Sequence, residues 1–317
     1  MKSFLKRSAI GLAVLGITCS ANASMFNSHG YFIGVEGLSL RPMNGDLDWF
    51  YVNTSSGGER IGAISTDHDW GWRLFGGLKF GDNEDLTLSW TRLRSSSSDS
   101  EDFDAIGNNI RFVDTSATEA RAKVNFDLDE VYGVMGHTIN FNNLWSLRVA
   151  GGLTFARIDS DMKVSLDSSN ASDVSSATAK SRLRGWGPRA EADVGYRLNP
   201  NFALFANGNT SLLVADRNTS VDFFSSGDFT HEYDFSGRNV VVPKLGMRLG
   251  VSYSCMMGQA GSEGAGTSVT IAAGWQVESY IHAIERYQTF NDLPDTTVSN
   301  FGDQGVFLGI AFNSGWM

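Results

Sequence analysis

The sequence predicts an all-β fold, a transmembrane antiparallel β-barrel of about ten strands with long extracellular loops and short periplasmic turns. Three observations lead to this prediction. Segments of alternating apolar and polar residues recur along the chain. The connections between these segments alternate between long and short. With 35 Gly against 5 Pro, and 12% aromatic residues, the composition favours strands and tight turns over helices.

The alternation is clearest over residues 185–198. Successive side chains of a strand point to opposite faces, so this segment has one apolar face and one charged face. Lipid on one side and a polar lumen on the other would satisfy both faces, although one strand of a soluble sheet would read the same. The apolar face holds Trp186, Pro188, Ala190, Ala192, Val194, Tyr196 and Leu198, and the other face holds Gly187, Arg189, Glu191, Asp193, Gly195 and Arg197.

The segments before it have the same pattern. Residues 31–40 carry Glu36 as their one charge, and residues 68–80 set Trp70, Trp72 and Leu74 against Asp69, Arg73 and Lys79. Leu86, Leu88 and Trp90 mark a third strand. Residues 121–139 alternate Ala122, Val124, Phe126 and Leu128 with Arg121, Lys123, Asn125, Asp127 and Asp129, and residues 144–158 oppose Trp145, Leu147 and Val149 to Ser146 and Arg148.

The segments after it complete the count. Residues 202–215 place Asn207, Asn209 and Ser211 on one face, and residues 238–254 oppose Lys244 and Arg248 to Leu245, Met247 and Leu249. Residues 267–282 oppose Gln276 and Glu278 to Trp275 and Val277, and residues 301–312 form the last strand. Eight or twelve strands remain alternatives, because residues 31–40 and the end of 121–139 are the least regular.

The connections decide between a soluble sheet and a barrel. Five are long, about 18 to 30 residues, and four are short, whereas a structureless loop beyond about 15 residues is uncommon in a compact domain. The long connections all fall on one side and the short ones on the other. This is the plan of a bacterial outer-membrane barrel, in which both chain ends lie on the side of the short turns.

The N-terminus predicts export. Residues 1–23 combine Lys2, Lys6 and Arg7 with an apolar core and the small-residue site Ala21-Asn22-Ala23, as a cleaved secretory signal peptide does. Residues 24–317 then form a single barrel domain. The formal net charge of −10 argues against nucleic acid as a partner.

Ten charged residues are expected to face the lumen: Glu36, Arg73, Lys123, Arg148, Arg189, Glu191, Asp193, Lys244, Arg248 and Glu278. By the same parity Lys79 and Asp127 would join them. In a wide barrel such residues line water and set ion selectivity, and in a narrow one they pair and fill the interior. Seven aromatic residues near strand ends are expected to lie at the membrane interfaces: Trp70, Trp90, Trp145, Trp186, Tyr196, Tyr253 and Trp275.

Several segments resemble the Legionella-type major outer-membrane protein family. These are Gly185-Trp186-Gly187-Pro188-Arg189, Val241-Val242-Pro243-Lys244-Leu245, Ala273-Gly274-Trp275-Gln276-Val277, Ser279-Tyr280-Ile281-His282-Ala283-Ile284 and Phe301-Gly302-Asp303-Gln304-Gly305-Val306-Phe307-Leu308. The resemblance covers about residues 31–312 and implies a pore-forming outer-membrane barrel. The chain departs from a usual barrel ending because it continues beyond Phe312.

An enzymatic role is weighed because a ten-stranded barrel also resembles the omptin proteases, which place acidic pairs and a His at the extracellular rim. Asp67-His68-Asp69, Asp228 and His231 are the candidates here. Five His in 317 residues make chance neighbours common, and no His spacing suits a metal. We expect no enzyme, no cofactor and no metal site.

The expected function is a passive pore for ions or small solutes in the bacterial outer membrane, in an abundant surface protein. The alternative is a narrow, filled barrel whose long acidic loops act in adhesion or surface binding. Expected partners are outer-membrane lipid and lipopolysaccharide, ions or small solutes, and a host surface reached by the loops. Association into homo-oligomers is left open.

Overall fold

The computed structural model describes residues 29–53, 59–80, 83–102, 108–110, 119–142, 144–167, 175–224, 230–257, 267–290 and 293–316. The predicted signal peptide, residues 1–23, lies outside these residues. Thirteen strands occur in the described part: β1 His29–Asn44, β2 Asp48–Asn53, β3 Glu59–Ala63, β4 Asp69–Phe80, β5 Glu84–Asp102, β6 Asn108–Ile110, β7 Glu119–Asn140, β8 Trp145–Asp167, β9 Ser175–Arg197, β10 Phe202–Phe224, β11 Thr230–Met257, β12 Thr267–Phe290 and β13 Leu293–Trp316. No helix among these residues is long and apolar enough to cross a membrane.

Ten of the strands close into one barrel. Its order is β1-β13-β12-β11-β10-β9-β8-β7-β5-β4, and β1 pairs with both β13 and β4. Every neighbouring pair is antiparallel. The predicted ten-stranded antiparallel barrel is therefore confirmed, and its closure leaves no unpaired strand edge.

The barrel strands run well beyond the predicted strand ends. β5 continues to Asp102 through the serine run Ser95–Ser98, which the sequence placed in a loop. Ser95 and Ser97 are buried on the inner face, whereas Ser96 and Ser98 are exposed. Four consecutive serines show no alternation of apolar and polar residues in the sequence, although their side chains alternate between the inner and outer faces of the strand. β8, β9 and β12 likewise extend into segments that were expected to be loops.

The inner face changes character along the barrel. Near the short turns it is polar, but beyond the membrane band it is mainly apolar and forms one buried cluster that includes Leu38, Phe126 and Phe301. Two buried ion pairs, Arg217 with Glu285 and Arg286 with Asp46, also lie in this half. The first long connection contributes Leu47, Trp49, Phe50 and Ile64 to the same cluster, and Trp49 is fully buried. Strands of the first two long connections form a small sheet in the order β3-β2-β6. The extracellular half of the barrel thus resembles a soluble core enclosed by strands.

Two inward phenylalanines explain two of the glycines. Phe75 lies across Gly34, and Phe32 lies across Gly77, on the paired strands β1 and β4. A Cβ at Gly34 would lie 2.4 Å from the Phe75 ring, and one at Gly77 would lie 2.1 Å from the Leu86 carbonyl oxygen. Only glycine leaves room for the neighbouring ring and strand at these positions.

His282 interrupts the pairing of β12 with β13. Its φ is 59°, and the register shifts between Tyr280 and Ile284. The His282 N–H donates to the Asn300 side-chain oxygen at 2.9 Å, and its carbonyl oxygen accepts from Arg217 at 2.8 Å. This bulge satisfies the freed backbone groups and lets β12 continue to Phe290, eight residues past the predicted end.

We predict that His282→Gly raises the free energy of unfolding by about 1 kcal/mol, because a left-handed conformation costs a residue with a Cβ about that much. Urea titration of the protein refolded in vesicles measures the change. Ile281→Gly is the matched control and should lower stability, since an extended residue gains only chain entropy in the unfolded state. Destabilisation by His282→Gly would show that the imidazole, rather than the backbone, holds the bulge.

Candidate functional site: the ion-pair network inside the barrel

A lysine lies at the centre of the barrel interior. The side chain of Lys244, on β11, has no exposed surface. Its Nζ lies 2.9 Å from Glu278 on β12 and also donates to Glu130 on β7. In the strand order β10, β9 and β8 separate β11 from β7. The contact from Lys244 to Glu130 therefore crosses the lumen.

A second group of charges joins this centre from β1 and β4. Arg73 donates to Glu36 at 3.0 Å and lies 3.8 Å from Glu278. Arg248 on β11 reaches the same Glu36 at 2.7 Å, and its guanidinium lies 4.1 Å from the centre of the Phe307 ring. Glu36 thus holds two arginines from opposite sides of the lumen.

A third group joins it from β9. Arg189 lies 3.2 Å from Glu130 and 2.6 Å from Glu191. Its guanidinium also lies 3.9 Å from the centre of the Tyr132 ring. Because Glu130 already contacts Lys244, Arg189 belongs to the same continuous set of contacts.

Arg148, on β8, carries the network toward the short turns. It lies 3.6 Å from Glu191, 2.9 Å from Asp193 and 2.6 Å from Asp85 on β5. Its side chain is 18% exposed, and those of Asp193 and Arg248 are 35% and 16% exposed, so the network reaches water at these three residues. The set, which we call the lumen network, comprises Glu36, Arg73, Asp85, Glu130, Arg148, Arg189, Glu191, Asp193, Lys244, Arg248 and Glu278.

The lumen network is close to electrical balance, with five basic and six acidic members. Taking a charge out of water costs several kcal/mol, which an opposite charge at hydrogen-bond distance offsets. Each cation here has at least two acidic neighbours or one acidic neighbour and an aromatic ring. The arrangement is suited to filling a narrow interior.

Nine of the ten residues predicted to face the lumen lie inside the barrel in this network. Lys123 does not. It is exposed on the outer face of β7, as is Asp127, whereas Ala122, Val124 and Phe126 are buried inside. The prediction for Lys123 was wrong because this part of β7 lies beyond the membrane band, where the outer face meets water and the inner face is apolar.

Glu130, the acidic residue at the centre of the network, was not among the residues predicted to face the lumen. In the structure, Val131 and Met135 on the same strand are exposed apolar residues and therefore face lipid. Counting by twos from either one places Lys123 outside and Glu130 inside. Asp85 was likewise not predicted, because the third strand was recognised only from Leu86 onward.

All seven predicted interface aromatics lie on the outer face. Trp70 is 72% exposed and Trp186 is 63% exposed. Trp145 and Tyr196 are cross-strand neighbours whose ring centres are 4.6 Å apart, and Tyr253 lies 4.8 Å from Phe202. These pairs lie beside the short turns, as expected for aromatic anchors at a membrane interface. Trp90 and Trp275 are also outward, at 39% and 46% exposure.

In the described part of the chain, the candidate rim residues of the protease hypothesis do not come together into one site. The Asp69 carboxylate accepts the backbone N–H of Ser96 at 3.2 Å, a structural role. His68 is exposed. Asp228 and the side chain of His231 lie outside the described residues. Among the described residues, no group of His, Cys, Asp and Glu is placed to hold a metal ion.

Comparison with known proteins identifies the family. The family described as Legionella pneumophila major outer membrane protein precursor matches residues 26–314. The chain belongs to this family. It is an integral protein of the bacterial outer membrane, as the predicted localisation states. The search of curated proteins found no match.

Solved structures resemble this family member in fold. The outer membrane protease OmpT of Escherichia coli is 11% identical with a TM-score of 0.46, covering 94% of this chain and 100% of that one. The translocator domain of the autotransporter NalP of Neisseria meningitidis is 11% identical with a TM-score of 0.36, covering 89% and 88%. Ail, the attachment invasion locus protein of Yersinia pestis, is 10% identical with a TM-score of 0.27, covering 91% and 99%.

We predict that Lys244→Met lowers the free energy of unfolding by about 3 to 5 kcal/mol, because it leaves Glu130 and Glu278 buried without their shared cation. Urea titration in vesicles measures the loss. Adding Glu130→Gln should recover part of it, since the two changes remove one interaction. Lys163→Met, at an exposed position on β8, is the control and should change stability by less than about 0.5 kcal/mol. An equally small effect at Lys244 would contradict a structural role for the network.

Proposed function

We propose that this family member is a closed barrel in its resting state and that its extracellular hairpins carry its function in surface binding. The observation behind this proposal is the lumen network, which joins strands from all sides of the barrel through buried contacts. The central residues Lys244 and Glu130 are 0% and 1% exposed. A continuous water path past them would require the network to separate.

The extracellular half adds a second barrier. The inward-facing side chains of Leu38, Phe126 and Phe301 are at most 1% exposed. Trp49 from the first long connection packs in the same cluster. An apolar core of this kind excludes water as a soluble protein core does, so a solute would meet two closed layers in series.

The hairpins are suited to displaying a binding surface. β7 and β8 stay paired out to Glu119 and Asp167, and β9 and β10 out to Ser176 and Phe224. Paired strands hold their outward side chains in fixed positions, unlike the structureless loops that the sequence suggested. Outer-membrane lipid, lipopolysaccharide and a host surface are the partners within reach of these side chains.

A small pore is the second candidate, and it has a specific observation in its favour. The inner face near the short turns is half-buried rather than buried, and it carries small or polar residues such as Asn207, Ser252, Ser254 and Thr270. Water can enter this periplasmic half. If the first long connection moved and the network separated, ions or small solutes would have a path through the barrel.

Single-channel recording in a planar bilayer distinguishes the two candidates. We predict no sustained open level for the refolded protein, and new steps in the Lys244→Ala/Glu130→Ala double variant, because two central members of the network are lost. Lys123→Ala removes an outward charge and is the control. The unaltered protein would instead be a permanently open pore if it gave sustained conductance steps. The size or selectivity of those steps would then shift in Arg189→Ala or Glu191→Ala.

We also propose that the protein is not an enzyme. Purified, refolded protein incubated with fluorogenic peptides is predicted to give no more cleavage than a preparation lacking the barrel. His68→Ala and Asp69→Ala serve as the matched pair. Cleavage that both substitutions abolish would overturn the proposal and establish the rim as a peptidase site.

A further inference from the structure

The outer face of β8 and β9 holds two arginines side by side at the edge of the lipid-facing band. Phe155 and Trp186 are cross-strand partners, 45% and 63% exposed, and are the last apolar pair on this face toward the extracellular side. Two residues farther out, Arg157 and Arg184 face each other in the same register. Both point outward by the alternation of these strands.

Two like charges at directly opposite positions of neighbouring strands repel each other. Arg157 donates to Asp159, which offsets part of its charge. Arg184 is exposed and forms no ion pair with any residue in the described part of the chain. Asp216 lies opposite Arg184 on β10, where its carboxylate accepts from Asn218 at 3.3 Å instead. Asp129 lies opposite Arg157 on β7 and offsets its charge further, so the unpaired charge rests on Arg184, where an anion beside both guanidinium groups would neutralise it.

A groove lies lower on the same face. It has a volume of about 590 Å³ and is floored by small residues, among them Ala190, Ala192 and Gly208, and walled by Leu245, Met247 and Val277. Ala190 is on the same face of β9 as Arg184, six residues nearer the short turns. At about 3.3 Å per residue, the groove begins about 20 Å from the arginines along the strand, and because barrel strands are tilted its depth is smaller than this, within the membrane.

We propose that this face binds one lipid of the outer leaflet, with its phosphate group between Arg157 and Arg184 and an acyl chain in the groove. The Arg184 guanidinium can match phosphate geometry through paired N–H donors. Arg157, whose Nε and Nη2 donate to Asp159, adds a second positive group, and both arginines lie where the lipid headgroups begin. Phe155 and Trp186 then contact the upper part of the acyl chains. The site depends on the barrel spanning the membrane and is independent of whether the lumen conducts.

Native mass spectrometry of the refolded protein with diphosphoryl lipid A tests the proposal. Arg157→Gln/Arg184→Gln should weaken binding at least about tenfold, since two charge-assisted contacts are lost. The matched control is Lys123→Gln/Lys163→Gln, which removes another outward pair of facing cations on neighbouring strands, farther from the membrane. This control should bind within about twofold of the unaltered protein. Resistance of each folded barrel to detergent before heating verifies that the variants fold.

Three further measurements separate the sources of binding. Fully dephosphorylated lipid A should bind as weakly as the arginine variant does, and equal binding would overturn the role of phosphate. Inorganic phosphate should not bind at concentrations where the lipid does, and tight binding would assign the arginines to a free anion instead. Gly208→Leu, which fills the groove, should weaken lipid binding while leaving the arginines intact. Lipid binding unchanged in both the arginine and the groove variants would overturn the proposal.

Discussion

The charges of the lumen network depend on opposite charges at contact distance, and the central contact, Lys244 with Glu130, crosses the lumen. A narrow barrel leaves little interior space for water around charged side chains, so its buried inward charges need internal partners. Lys244, between Glu130 and Glu278, shows the requirement most directly, because its partners come from different sides of the wall. The rest of the interior follows from this constraint: arginines on Glu36, aromatic rings over guanidinium groups, and glycines where a neighbouring ring needs space.

The outer face of the barrel wall contacts lipid in the membrane and water beyond it. Within the membrane the wall is apolar outside and polar inside, and beyond the membrane it is polar outside and mainly apolar inside. β7 contains both arrangements, with Val131 and Met135 facing lipid and Lys123 facing water on the same side of the strand. Strand geometry does not change at the crossing, but the polarity of each face inverts. The inversion allows an ionic layer and an apolar core to be stacked within one barrel.

The two layers connect the fold to the proposed functions. The buried ion pairs of the lumen network connect strands on different sides of the barrel wall. The hairpins above the wall stay ordered because their strands remain paired. The outward surface between lipid and water is then the part of the molecule best placed to meet partners. Arg157 and Arg184 lie at this boundary, where the polarity inverts and where phosphate groups of lipids lie.

The sequence by itself determined the barrel, its ten strands and nine of its inward charges. It could do so because a period of two is a local property, and lipid on one side of the wall makes the two faces of a strand differ in polarity. It placed residues 185–198 and Lys244 on the correct faces for that reason. Only the tertiary structure decided which charges meet, how far the strands continue, and where the polarity inverts. Glu130 and Lys123 were misjudged because the meaning of a face depends on whether lipid, water or the opposite wall lies beyond it, and no local pattern contains that information.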